Sequence, residues 1–411
     1  MFERTNIIAG LEIGTSKICV VVAEQNAAGE LNIIGVGQSL SRGVRKGEII
    51  NPQDVEQDVR DAVAEAEQMA DAEIRSVYVG VTGNHIRSFN SRGFHRVYNA
   101  DYEITSEDVE DVLDNAKAVN LPLENSTLHS IRQHFLVDGE EGVTDPVGMH
   151  GSKLEVDLHT IHGKTTRLQN VIRLVRATSL QVEDVVFSGL ATALALLTAE
   201  QKELGTLVID MGGGTTEYVI YSRGIIRHSG GLTIGGDHIS NDLAIGLKIS
   251  LHRAEKLKRE HGSAVVIEAA RDQTVSVTDE RGWEVKRVKV ERLQLIMSLR
   301  IEEVFKVIAE ELEKEGMAHW LNGGILLCGG CARVPHILTV AEKIFQLPAT
   351  LGHANAVSGL ASTLDEPEFA TAIGLVKYGA LRQRKPVTQV SWLGQLREFI
   401  KKLVALVRSP A

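Results

Sequence analysis

The amino-acid sequence predicts an α/β fold in two related halves. Three observations lead there. Strand-like runs at Ile7–Ile13, Ile18–Ala23 and Leu31–Val36 precede a helix whose apolar residues Val55, Val59, Ala62, Ala66 and Met69 share one face. The motif Leu11-Glu12-Ile13-Gly14-Thr15-Ser16-Lys17 returns as Ile209-Asp210-Met211-Gly212-Gly213-Gly214-Thr215-Thr216, each time followed by an apolar strand. The chain of 411 residues also exceeds one hydrophobic core, so two to four structural units are expected.

Along the chain, the first two strands flank the turn at Gly14. Asn51 is placed to cap the following helix, and Pro52 suits its first turn. From Asn84 to about Lys164 the texture changes and predicts a small inserted unit. Within it Thr105-Ser106 opens a helix with the stripe Val109, Val112, Leu113 and Ala116, and Leu154–Ile161 alternates apolar with polar residues as a half-buried strand does. Leu168, Val171, Ile172 and Val175 mark the next helix, and Gly189–Thr198 a very apolar one. Gly323 to Pro335 then reads as a short buried strand, a paired-glycine turn and a Pro-started helix. Cys328 and Cys331 frame that turn; with Cys19 they make three cysteines, too few for a disulfide framework or a four-ligand zinc site.

The paired motifs have a chemical reading. Glycines let backbone N–H groups turn toward a phosphate, hydroxyls add donors, and the acid before the turn holds hydrated Mg²⁺ beside the same phosphates. Two such turns face to face would clamp a polyphosphate between Gly14, Thr15, Ser16 and Lys17 on one side and Gly212, Gly213, Gly214 and Thr215 on the other, with Glu12 and Asp210 at the metal. The paired glycines Gly329 and Gly330 would let the backbone lie against a purine or its ribose. Glu255 and Lys258, three apart on one helical face, suit ribose hydroxyls and the base, or else form an exposed ion pair. P-loop, dinucleotide, zinc-peptidase and serine-hydrolase signatures do not occur.

These residues resemble the nucleotide site of the actin, sugar kinase and heat-shock chaperone superfamily, and more closely the FtsA family of bacterial cell-division proteins. The narrower marks are Ser41-Arg42-Gly43-Val44-Arg45-Lys46-Gly47, Ala66-Glu67-Gln68-Met69-Ala70, Thr82-Gly83-Asn84-His85-Ile86, Asp145-Pro146-Val147-Gly148 and Phe187-Ser188-Gly189-Leu190-Ala191. The resemblance covers nearly the whole chain. It implies an actin-like, ribonuclease H-like duplicated fold, with a small α+β subdomain replacing one actin subdomain. Subdomain 1A would occupy 1–83 and 165–200, 1C 84–164, 2A 201–236 and 301–363, and 2B 237–300; 364–382 would return to 1A and 383–390 would link to a terminal helix at 391–408. It further implies ATP with Mg²⁺ as ligand, Gly235, Gly236 and Arg333 as additional nucleotide contacts, and head-to-tail polymers. Attachment to the cytoplasmic face of the inner membrane at the septum, a hold on the tail of FtsZ, and recruitment of later division proteins complete the expectation. The rival readings are an actin-like assembly protein of a pilus or secretion machine and a small-molecule kinase of the same superfold. One departure matters: Ser188–Ala193 before the second turn offers no acid to position an attacking water. Hydrolysis is expected to be absent or slower than about one turnover per second.

Charge is distributed unevenly. Residues 382–411 carry seven cations against the single acid Glu398, a net +6, so the remainder holds −16 of the overall −10. An acidic body argues against nucleic acid, and a basic tail favours an anionic surface. On a helix Trp392, Leu393, Leu396, Phe399, Ile400, Leu403, Val404 and Val407 gather on one side with Arg397, Glu398, Lys401 and Lys402 opposite, which suits a membrane interface and is too short and charged to span it. The N-terminus lacks a secretion-signal pattern, and a cytoplasmic location is expected. Arg281, Lys286, Arg287, Lys289 and Arg292, interleaved with apolar residues, form either an exposed strand face or, by resemblance, the place where the FtsZ tail docks.

Overall fold

The computed structural model describes residues 6–26, 28–99, 101–278, 283–354, 357–359 and 366–384. Its body is two sheets of the same topology. In the first, the hairpin Asn6–Ile13 and Lys17–Gln25 has antiparallel Leu31–Leu40 on one side and parallel Ser76–Val81, then Gln181–Phe187, on the other. In the second, the hairpin Thr206–Met211 and Thr216–Ser222 has antiparallel Ile225–Leu232 on one side and parallel Ile325–Cys328, then Ala349–Leu351, on the other. The repeat visible in one short motif therefore extends over five strands.

Helices cover both faces of these sheets, so their strands carry continuous apolar runs rather than alternation. Pro52–Ala70 packs on one face of the first sheet, and Ala370–Arg384, itself packed on Ser188–Leu196, on the other. In the first helix Val55, Val59, Ala62 and Ala66 are buried as expected, whereas Met69 is 49% exposed in the last turn. Asn51 precedes the helix, yet its side chain caps no backbone group and Nδ2 donates instead to Asp54 Oδ2 at 2.5 Å.

The inserted segment folds around its own core of Val97, Ile104, Val112, Phe135, Leu154 and Leu158. Its sheet runs in the order Arg87–Arg96, Lys153–Lys164, Asn125–Val137, Glu140–Val143, covered on one side by the helix Ser106–Lys117. Thr105 and Asp108 make a reciprocal cap at the start of that helix, Thr105 N–H donating to Asp108 Oδ2 at 2.8 Å and Asp108 N–H to Thr105 Oγ1 at 3.3 Å. The strand Lys153–Lys164 departs from expectation. Its alternation is real, but it is the central strand and is buried on both faces, the polar face lying against the second lobe.

Two buried histidines tie this arrangement to pH. Burial pushes His129 down to about 4, and burial with the neighbouring His228 and His129 pushes His159 down to about 3. Each is neutral when folded, and Phe187 N–H donates to His129 Nε2 at 3.0 Å. The unfolded chain takes up protons at these rings below about pH 6.5, so stability is full above that value and is lost as pH falls through 6.5 toward 4. His129→Gln keeps an acceptor for Phe187 and is expected to lose on the order of 3 kcal/mol less over that window in chemical unfolding followed by circular dichroism. An identical pH slope in variant and parent would overturn the assignment.

Candidate functional site

The two predicted turns close in the same way and meet. Gly14 N–H donates to Lys17 O at 3.0 Å, and Gly212 N–H to Thr215 O at 2.9 Å. Glu12 pairs with Cys19 across the first hairpin and with Gly80 on the parallel strand; Asp210 pairs with Glu217 and with Cys328 in the equivalent register. The two acids are thus homologous positions at the ends of the two central strands. A Cβ on Gly213 would lie 1.9 Å from Ser16 Oγ, and one on Gly214 2.4 Å from Thr15 Oγ1. Only glycine lets the turns approach this closely. Thr15 Oγ1 also accepts Gly47 N–H at 3.1 Å, and Thr82 Oγ1 lies 3.2 Å from Thr215 Oγ1.

Between the turns sits a charge cluster that the protein itself leaves incomplete. Glu12 is pushed up to about 7 by burial, which outweighs the opposing pull of Lys17 and is reinforced by Asp210. Burial likewise raises Asp210, against the hydroxyls of Thr192 and Thr371 and the charge of Lys17. Asp210 Oδ2 accepts Thr192 Oγ1 at 2.7 Å and Thr371 Oγ1 at 2.8 Å. Among the described residues Glu12 Oε2 and Lys17 Nζ are buried with no hydrogen-bond partner, and Lys17 Nζ lies 4.2 Å over the ring of Phe369. An unpaired buried ammonium beside unpaired carboxylate oxygen is costly, and a phosphate with its cation would relieve both.

The remaining predicted contacts divide. Gly235 and Gly236 hold the second turn: Gly236 N–H donates to Gly212 O at 3.0 Å, and a Cβ on Gly235 would sit 2.5 Å from Gly212 O. Lys258 reaches the same place, donating to Gly236 O at 3.1 Å and lying 2.6 Å from Glu255 Oε2. Although burial opposes it, hydrogen bonds from Lys258 and Ser240 hold Glu255 down at about 2. Gly329, at φ 81°, passes Asp210 Oδ1 so closely that a Cβ would be 2.4 Å away, while Gly330 faces open space. Arg333 is engaged elsewhere, paired with Glu366 at 2.7 Å and Glu368 at 2.8 Å.

Four residues of this cluster were not singled out from the sequence: Thr192, Thr371, Thr82 and Glu217. Glu217 is buried, its carboxyl raised well above the usual range by burial and by Asp210, and its Oε1 accepts Thr82 Oγ1 from the first lobe. It follows the second turn directly in the motif Gly214-Thr215-Thr216-Glu217. The one charge in the otherwise uncharged strand Thr216–Ser222, directly after the glycine turn, was the available signal.

The two other predicted surfaces lie apart from this cleft. Arg281 is outside the described residues, as is the terminal segment from Trp392 to Val407. Lys286 Nζ donates to Leu247 O at 2.6 Å, Arg292 to Gly246 O at 2.9 Å, and Arg287 pairs with Glu284 at 3.1 Å; Lys289 is exposed. The first two bonds tie Lys286 and Arg292 to the C-terminal end of the helix Gly236–Leu247, on which Ile245 is exposed; Leu295 and Leu299 are exposed on the helix Val290–Lys314 that carries Arg292. No described helix is long and apolar enough to cross a membrane.

Comparisons with known proteins agree over most of the chain. A family model described as "Cell division protein FtsA" matches residues 207–374, and one described as "SHS2 domain inserted in FTSA" matches residues 83–162. Cell division protein FtsA of Pseudomonas aeruginosa is 36% identical over 381 residues, covering 93% of this chain and 91% of that protein. Its counterpart in Escherichia coli K12 is 32% identical over 412 residues, covering 96% and 98%. Among solved structures, the PilM-PilN type IV pilus biogenesis complex aligns with a TM-score of 0.66 at 16% identity, covering 92% of this chain and 99% of that one. MreB5 of Spiroplasma citri bound to AMPPNP gives 0.56 at 14%, covering 93% and 98%. At those identities the structures speak for the fold alone: it is actin-like, with an inserted domain.

Proposed function

Because this chain belongs to the FtsA family of bacterial cell-division proteins, we propose that it binds ATP with Mg²⁺ in the cleft between its lobes and acts as a polymerising adaptor. In this reading it tethers FtsZ to the cytoplasmic face of the inner membrane at the septum and recruits later division proteins. The observation that carries the nucleotide part is the meeting of two homologous turns around an unpartnered Lys17 ammonium and Glu12 oxygen. Hard carboxylate oxygens suit Mg²⁺. Glu12 and Asp210 would hold it through water, and bound Mg²⁺ would neutralise phosphate charge. Gly14 and Gly212 would shape the turns through their own closing bonds, and backbone N–H groups of Thr15–Lys17 and Gly213–Thr215 would take the phosphates, with Lys17 beside them. Gly235, Gly236, Glu255, Lys258, Gly329 and Gly330 would flank the nucleoside, while Arg333 acts as an ion pair rather than a ligand.

The partner part is supported by Lys286 and Arg292, held at the end of the helix that exposes Ile245, with Arg287 and Lys289 exposed nearby in sequence and Leu295 and Leu299 exposed on the helix of Arg292. Exposed aliphatic residues together with basic ones fit a peptide that is apolar and acidic, the composition through which the FtsZ tail would dock. Calorimetry on the full-length protein tests both parts. Mg-ATP is expected to bind at micromolar concentration and far more weakly with excess chelator, and the FtsZ tail peptide to lose tenfold or more in affinity to the Arg287→Glu, Lys289→Glu double variant. Absence of heat with Mg-ATP overturns the first, and unchanged peptide affinity the second.

A further inference from the structure

The two sheets share five strands but end differently at the third strand of each hairpin set. On the first sheet, Leu31–Leu40 is covered at its outer edge by the strand Val357–Gly359. On the second, the equivalent strand Ile225–Leu232 has no further strand in its sheet. Side chains of the inserted domain take that place. Ser88 Oγ donates to Ser229 O at 2.5 Å, Asn90 Nδ2 to Arg227 O at 2.9 Å, and Gln133 Nε2 to Ile226 O. His159, fully buried, has both ring nitrogens engaged, Nδ1 with Asn90 Oδ1 at 2.8 Å and Nε2 with Ser229 Oγ at 2.8 Å. The inserted domain is joined covalently to the first lobe, through Ser76–Val81 and Thr165–Ala177, and packs Ile86 and Ile161 into that lobe's core with a hydrogen bond, Phe187 N–H to His129 Nε2, while the four bonds from Ser88, Asn90, Gln133 and His159 go to the second.

We propose that the inserted domain is clamped to the second lobe through the Asn90–His159–Ser229 network, so that a change in the angle between the lobes moves it relative to the first lobe. The geometry gives three reasons. First, the clamp engages outward carbonyls of an edge strand through several directional hydrogen bonds, each modest in net contribution, which fix the position of the inserted domain on the second lobe in a way that an apolar contact does not. Second, among the described residues the contact with the first lobe is mostly apolar, Ile86 and Ile161 against Tyr78 and Phe187, and apolar surfaces can slide over each other while directional hydrogen bonds cannot, so rotation is taken up on the first-lobe side, where the connecting strand and helix ends can hinge. Third, the nucleotide turns lie between the lobes, with Thr82, five residues before Arg87, bonded to Thr215 and Glu217. The strand that leads into the inserted domain therefore starts at the cleft. This coupling rests on the nucleotide reading, because Mg-ATP is the ligand that would set the lobe angle; the clamp itself does not depend on it.

Distances between paired spin labels on the full-length protein test both layers. Gln53→Cys reports the first lobe, Glu110→Cys the inserted domain and Asp272→Cys the second lobe, all at exposed positions, while the native cysteines are buried. Without nucleotide, the distance between positions 110 and 272 is expected to be narrow in the parent and at least twice as broad in Asn90→Ala with Ser229→Ala. With Mg-ATP, the 53–110 and 53–272 distances are expected to shift together in the parent, and 53–110 to stop following in the variant. Unaltered breadth at 110–272 overturns the clamp. A 53–110 distance that stays fixed while a fluorescent ATP analogue is bound overturns the coupling, whereas failure of that analogue to bind counts against the nucleotide reading instead. Ser229→Ala alone, which removes one hydroxyl, serves as the folded control, and it is expected to broaden 110–272 partway.

Discussion

Gly213→Val is expected to reduce Mg-ATP affinity at least a hundredfold, about 3 kcal/mol, with the fold intact. The argument is steric and local. A Cβ at position 213 would stand 1.9 Å from Ser16 Oγ, which can rotate aside, and 3.2 Å from Ser16 Cβ, which cannot, so the two γ-methyls of valine beyond it either push the turns apart or enter the space between them. Neither outcome leaves room for phosphates held from both sides. The hairpin should survive, because its register rests on Gly212 N–H to Thr215 O and on strand pairs behind the turn, none of which involves position 213. Gly231→Ala is the matched control: its Cβ would meet nothing nearer than 3.7 Å, and affinity is expected to stay within threefold of the parent. Binding by Gly213→Val within threefold of the parent would mean that the turns do not clamp the ligand.

What was legible in the sequence was what is local. An acid, an apolar residue, glycines and small hydroxylic residues lie within a few positions of one another, and the chemistry they imply is decided by backbone geometry that those residue types dictate. The contacts made across the cleft were not legible. Thr192 reaches Asp210 from 18 residues away and Thr371 from 161, and nothing in either neighbourhood marks a hydroxyl as aimed at a carboxylate. Glu217 was hidden differently. A strand read alone offers one polar face to solvent, but Thr216–Ser222 is buried on both faces, so its acid lies in the protein interior. The same misreading affected Lys153–Lys164, whose alternation is genuine while its polar side is buried against the second lobe. Arg333 shows the converse: the resemblance places it among the nucleotide contacts, and its ion pairs with Glu366 and Glu368, more than thirty residues on, could not be read from its neighbourhood. Period and motif thus give the elements and the turns, and the partner of each buried charge comes only from the packing of distant elements.

Removing residues 391–411 is expected to abolish co-pelleting with vesicles of mixed neutral and anionic lipid while leaving Mg-ATP affinity unchanged. The segment lies outside the described residues, and the argument is its sequence: eight apolar side chains from Trp392 to Val407 on one helical side, with Arg397, Lys401 and Lys402 opposite. Two independent terms act on it. Burial of the apolar side supplies affinity that does not depend on salt, and each basic residue near an anionic surface adds about 1 kcal/mol that is screened by salt. The terms separate by substitution. Lys401→Glu with Lys402→Glu is expected to weaken pelleting on anionic vesicles at low salt and change little at high salt, while Leu396→Glu with Phe399→Glu weakens it at both. A single amphipathic helix binds reversibly, so retention at physiological salt demands many helices on one surface, which a polymer supplies. Vesicle binding by the full-length protein should therefore rise steeply with its concentration, and binding by a fusion of residues 391–411 to a monomeric carrier should rise only in proportion. Proportional rise in both would remove the role assigned to polymerisation, and pelleting by the truncated protein would remove the role assigned to the tail.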